Sequence, residues 1–97
     1  MKYAVTFAPE AEEEFRRLPA FHRAVVRDAI NQHLAHEPTR ESKSRIKRLR
    51  EMAKPQYRLR VGDIRIFYDV SGMDVEVLGI VSKSGAADWP NQMGVRS

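Results

Sequence analysis

The chain of 97 residues contains no cysteine. That excludes a disulfide framework, a thiolate nucleophile and a zinc–thiolate site, and it suits a reducing cytoplasm. No apolar run approaches the roughly 20 residues needed to cross a bilayer. The N-terminal residues turn acidic at Glu10, before a signal-peptide apolar region can form. There is no glycine-rich phosphate loop, no Ser-His-Asp arrangement and no carboxylate cluster for Mg²⁺. His22, His33 and His36 have no acid or cysteine around them in a ligand pattern and read as ordinary helix histidines. No cofactor or metal is called for. The length fits one domain, residues 1–97, with a single modest core.

Basic charge is what the chain has in one place. Seventeen Lys and Arg stand against thirteen Asp and Glu, a net charge of +4. Between Arg40 and Arg65 there are ten basic and three acidic residues, a local charge of +7 that leaves −3 for the rest. A basic segment on a mildly acidic domain is the electrostatic footprint of a polyanion partner. The plain alternative is a solvated basic loop.

Hydrophobic spacing outlines the fold. Tyr3, Val5 and Phe7 alternate with Lys2, Ala4 and Thr6, which predicts a short strand with one buried side. Pro9 opens a helix whose first turns are acidic and whose apolar stripe is Ala8, Ala11, Phe15 and Leu18. After Pro19 a second helix is expected from about Ala20 to His36, with Phe21, Val25, Val26, Ala29, Ile30 and Leu34 on its apolar face. The short connection makes the pair an antiparallel hairpin. Ile46, Leu49 and Met52 suggest one helical turn or an irregular segment anchored on the core, ended by Pro55. Strands follow over 57–61, 64–70 and 75–81, with turns at Gly62-Asp63 and Ser71-Gly72. The tail, with Trp89 and Pro90, allows one short helical turn.

The middle strands carry the chemistry. A two-residue loop at Gly62-Asp63 sets Val61 opposite Ile64, Arg60 opposite Arg65, Leu59 opposite Ile66 and Arg58 opposite Phe67. Tyr57, Leu59, Val61, Ile64, Ile66 and Tyr68 then share the core face, and Arg58, Arg60, Arg65 and Phe67 the other. Like charges directly opposite destabilise a sheet left alone, so removing Arg65 is expected to leave the fold intact or slightly steadier. Three convergent guanidiniums make sense if an anion sits among them, because their forks match phosphate oxygens bidentately. The alternative is three hydrated heads on stems that cover the sheet. Positioned cations alone can stabilise a phosphate that gains charge in its transition state. RNA brings its own nucleophile, the 2′-hydroxyl, so a basic face without metal suits RNA and not DNA.

The order strand, helical hairpin with Leu18-Pro19 between its helices, basic segment and closing strands resembles the RelE/ParE superfamily of bacterial toxins. The most specific stretch is Tyr57-Arg58-Leu59-Arg60-Val61-Gly62-Asp63, followed by Arg65 and Tyr68. The resemblance implies a small α/β (α+β) domain, two N-terminal helices packed on a mainly antiparallel sheet. It implies a toxin held by a cognate antitoxin as a hetero-oligomer in the cytoplasm, away from membranes. RelE-like members are ribosome-dependent mRNA endonucleases, and on that pattern Arg58, Arg60 and Arg65 are catalytic. After the last strand such enzymes carry a further arginine and a tyrosine. Here Lys83 is matched to the extra cation and Trp89 to the base-stacking surface, with Ser84 where the arginine is expected. Trp89 equally fits a core or antitoxin contact. Lys43, Arg45, Lys47, Arg48, Arg50 and Lys54 are expected to bind RNA and to contribute affinity more than chemistry. ParE-like members instead poison DNA gyrase without nuclease activity, and a catalytically inactive RNA-binding domain is the third reading.

Overall fold

A computed structural model describes residues 2–82 and 94–96. The chain begins with β1 (Ala4–Phe7), whose neighbour Ala8 caps helix α1 (Pro9–Arg17). Proline takes the first helical position, where its missing N–H leaves nothing unpaired. Leu18 is extended (ψ 144°), as the residue before a proline must be, and this ends α1. Helix α2 (Ala20–Ala29) starts directly after Pro19. The Arg23 guanidinium donates to the Leu18 carbonyl at 2.6 Å and fixes the corner.

Helix α2 runs on through a π-helical turn, Ile30–Leu34, and stops short of the expected His36. The wider turn keeps Ile30 and Leu34 on the buried side together with Val26. Phe21 and Val25, expected on the apolar face, are 74% and 38% exposed. They form a second i, i+4 stripe about 100° round the helix from Val26, and the sheet is reached by one stripe only.

The main sheet has the order β1-β6-β5-β4-β2. Its inner strands are β4 (Tyr57–Val61), β5 (Ile64–Ser71) and β6 (Asp74–Ser82), all antiparallel, while β1 joins β6 in parallel. A correction concerns residues 46–54, which are not helical. Ile46–Arg48 is an edge strand, β2, with Ile46 paired to Leu59, and Met52–Lys54 forms β3 against β7 (Val95–Arg96). The exposed flank of β4 offers unpaired backbone groups, and strand pairing there outweighs the weak three-residue spacing. The helical turn expected in the tail with Trp89 and Pro90 lies outside the described residues, whereas Val95–Arg96 is strand. Among the described residues no helix is long and apolar enough to cross a membrane.

The core lies between the helices and one sheet face: Val26, Ile30 and Leu34 against Leu59, Ile66, Tyr68, Val75, Val77 and Ile80. A bulge keeps β6 in phase with it. Phe67 pairs with Gly79 but Tyr68 with Val77, so Leu78 is the extra residue and Ile80 returns to the core side. This explains why the second half of β6 is apolar at consecutive positions. The buried Tyr68 hydroxyl donates to the Pro38 carbonyl at 2.6 Å, and burial raises its pKa far beyond the ordinary phenol value. Tyr68 is a fastener of the 38–45 loop, not a proton donor for chemistry.

Helix α1 is tied to β6 by Glu14, whose carboxylate accepts from the Ile80 N–H at 2.9 Å. Burial raises the Glu14 pKa above its ordinary value, opposed by that hydrogen bond. A raised carboxylate pKa means the charged form is held at a cost in the fold, relieved as pH falls through the folded pKa towards the unfolded one. Glu14→Gln keeps an acceptor for Ile80 and removes the charge. The variant should melt above the parent at pH 7.5, with the gap closing by about pH 4.5. A gap independent of pH in calorimetry would contradict this account.

Candidate anion-binding face

The β4–β5 hairpin has the register that alternation and loop length imply: Val61 with Ile64, Arg60 with Arg65, Leu59 with Ile66, Arg58 with Phe67, Tyr57 with Tyr68. Gly62 has φ +58° and Asp63 a negative φ, the pattern of a type II′ turn, whose twist suits two-residue hairpins. With Leu59, Ile66 and Tyr68 in the core, Arg58, Arg60, Arg65 and Phe67 occupy the opposite face.

The three arginines are not equivalent. Arg60 is exposed and Arg58 half-buried. Arg65 is only 8% exposed, and its Nη1 donates to the Gly62 carbonyl at 2.9 Å and to its neighbour Ile64 at 3.3 Å. Arg65 therefore fastens the turn it follows. Burial first, then the charges of Arg65 and Arg60, lowers the Arg58 pKa. A guanidinium nevertheless keeps its proton at neutral pH. Among the described residues the buried Nε of Arg58 has no hydrogen-bond partner. A buried charged donor without an acceptor costs free energy.

The basic row is wider than the hairpin. Lys47 on β2 pairs directly with Arg58 and so points to the same face. Its place there was not readable from the sequence, because the pairing of residue 46 with residue 59 had no local signal. The other cations of the basic segment diverge. Arg48 lies 5.0 Å over the Tyr57 ring, Arg50 reaches Glu41 at 3.4 Å, and Lys54 reaches Glu76 at 3.9 Å. Lys43 and Arg45 are exposed in the loop before β2. Lys83 and Trp89 lie outside the described residues.

Further along the same face the charge reverses at Asp69 and Glu76, which pair across β5 and β6. The Asp69 carboxylate accepts from the Gln56 N–H at 2.7 Å, while the Gln56 amide oxygen accepts from Val70 N–H at 2.9 Å. Burial raises the Asp69 pKa, countered mainly by that backbone bond. This reciprocal clamp fixes the start of β4. Among the described residues no group of three or more His, Asp or Glu is placed to hold a metal ion.

Solved structures share this architecture. The toxin–antitoxin complex RelBE2 of Mycobacterium tuberculosis matches with a TM-score of 0.70 and 25% identity, covering 84% of this chain and 99% of that one. The RelE–RelB complex of Pyrococcus horikoshii matches at 0.64 and 24% identity, covering 86% and 97%. The RelB–RelE complex of Methanococcus jannaschii matches at 0.58 and 18% identity, covering 86% and 95%. The fold is thus that of the RelE toxins. No curated protein matches. The family described as the ParE toxin of type II toxin–antitoxin systems matches residues 5–86, and the chain belongs to that RelE/ParE superfamily of toxins.

The burial of Arg65 makes a prediction about stability. Arg65→Ala should cost about 1–2 kcal/mol, the usual scale for lost charged hydrogen bonds, despite relieving a like-charge pair. Arg60→Ala should be neutral or slightly stabilising, since it removes only repulsion. Equal urea midpoints for the two variants would show that the Gly62 contact contributes nothing.

Proposed function

We propose that this toxin is a ribosome-dependent mRNA endonuclease acting in the cytoplasm. The observation that carries the reading is the row Lys47, Arg58, Arg60 and Arg65, in which the buried Arg58 Nε lacks an acceptor among the described residues. In the reaction the RNA 2′-hydroxyl gives its proton to solvent as its oxygen attacks the phosphorus, and the bond to the 5′-oxygen breaks as that oxygen takes up a proton from solvent. A cyclic phosphate and a free 5′-hydroxyl result. Arg58 stabilises the charge that develops on the phosphoryl oxygens, Arg60 and Lys47 hold the strand, and Arg65 rigidifies the hairpin that aims Arg58. Lys83 supplies a further cation and Trp89 a stacking surface for a base. Exposed cations at Lys43, Arg45, Arg48, Arg50 and Lys54 add affinity for the ribosome.

The partner that restrains it is a cognate antitoxin in a hetero-oligomer, as the RelE neighbours are seen in complexes with RelB. A second reading has one specific support, the family match to ParE toxins. In that reading the chain poisons DNA gyrase and cuts nothing.

Purified toxin and 70S ribosomes programmed with mRNA separate the two. Codon-phased cleavage that falls roughly 10²–10³-fold in Arg58→Ala, with binding nearly unchanged, is the expected outcome. Arg58→Lys should recover only part, because an ammonium keeps the charge and loses the fork. Intact mRNA beside inhibited DNA supercoiling by gyrase would replace the nuclease with the gyrase poison. Lys47→Glu should weaken ribosome binding and reduce its salt slope by about one or more.

A further inference from the structure

The edge of the sheet beyond Arg60 holds a second group of cations. Arg60 N–H donates to the Arg45 carbonyl at 2.9 Å, which extends the β2–β4 pairing and sets Arg45 beside Arg60. Two adjoining surface grooves meet here, of about 330 and 420 Å³. The first is bounded by Asp28, His33, Arg45, Arg60 and the Gly62 turn, the second by His33, Glu37, Arg40 and Arg45. Gln32, His33 and Arg45 belong to both.

Neither Arg45 nor Arg60 has a carboxylate partner among the described residues. The Arg45 Nη1 instead donates to His33 Nε2 at 3.0 Å. A guanidinium has no acceptor to offer, so this contact requires an unprotonated His33 Nε2. Burial, then the charge of Arg45, lowers the His33 pKa below its ordinary value. Of the charged groups around the grooves, Glu37 is paired with Arg40 at 2.9 Å. Asp28 is the remaining carboxylate, and Arg45 and Arg60 remain uncompensated. His33 lies in the π-helical turn Ile30–Leu34, and such turns recur at functional sites.

We infer that Arg45, Arg60 and His33 form a second phosphate site, which takes an RNA phosphodiester adjacent to the one held by Arg58 and binds it with uptake of a proton by His33. The inference rests on the nuclease reading. The anion accepts from Arg45 in place of His33, and His33, freed and facing negative charge, takes a proton from solvent and becomes a third donor. Arg60 stands at the junction of the two sites and passes the strand from one to the other. An RNA phosphate is favoured over a carboxylate because Arg60 belongs both to this groove and to the arginine row of the hairpin. That phosphate belongs either to the messenger or to ribosomal RNA.

Binding to 70S ribosomes tests this, with mRNA carrying 2′-O-methyl groups at the A-site codon so that nothing is cut. Lowering the pH from 7.5 to 6.0 should tighten parent binding about three- to tenfold, and His33→Gln should abolish the response. Arg45→Ala should weaken binding by about tenfold and reduce the salt slope by about one. A loss confined to programmed ribosomes assigns the phosphate to mRNA, and an equal loss on vacant ribosomes assigns it to ribosomal RNA. Arg45→Ala with parental affinity and salt slope overturns the site. A pH response that survives in His33→Gln overturns the proton uptake. An effect of Arg45→Ala seen only on antitoxin binding overturns the site in favour of a carboxylate partner. If the parent cleaves mRNA while Arg45→Ala is neutral, only this inference fails. If the parent binds no ribosome, the nuclease reading fails with it.

Discussion

Everything in this protein hangs on the register of one β-hairpin. The Gly62 turn pairs Arg60 with Arg65, and the same register delivers Leu59, Ile66 and Tyr68 to the core. Side chains alternate with period two, so a slip by one residue would bury arginines and expose the core. Hydrophobic burial therefore enforces the convergence of guanidiniums that repel one another. The repulsion is small beside the core contribution, since a cross-strand pair is worth roughly 0.2–1 kcal/mol and one buried large aliphatic or aromatic side chain roughly 1.5–3 kcal/mol.

The unfavourable pairs extend to the neighbouring strand. Lys47 faces Arg58, and Arg45 sits beside Arg60 at the edge. Where a carboxylate is near, the chain uses it: Arg40 with Glu37, Arg50 with Glu41, Lys54 with Glu76. Those pairs are exposed and contribute little stability, but they sort the cations. Among the described residues, Lys47, Arg58 and Arg60 on the arginine face and Arg45 at its edge have no carboxylate partner. This sorting, and not the total charge, sets the arginine face apart from a solvated basic segment.

The helices serve the sheet. Val26, Ile30 and Leu34 fasten α2 to it, Glu14 fastens α1 to the bulged strand β6, and Tyr68 fastens the loop that leads to β2. That loop determines where Arg45 stands, so the core tyrosine and the surface arginine are linked through a single chain segment. Phe21 and Val25 remain outside this packing and exposed.

Local rules sufficed for the hairpin register, the Pro9 helix start, the Leu18 break and the family resemblance, because each depends on neighbours within a few residues. The arginine face followed from alternation alone. Other features depended on contacts between distant parts of the chain. Ile46–Arg48 became a strand because β4 offered a flank to pair with, and Met52–Lys54 because it pairs with Val95–Arg96 far along the chain; no local pattern records a partner's unpaired backbone. The exposure of Phe21 and Val25 was likewise not legible in their spacing. The burial of Arg65, the alignment of Lys47 with Arg58 and the contact of His33 with Arg45 came from packing across elements. The sequence by itself determined which residues share a face. Only the tertiary structure decided which of those cations are tied down and which remain open to an anion, because pairing and desolvation are set by neighbours far away in the chain.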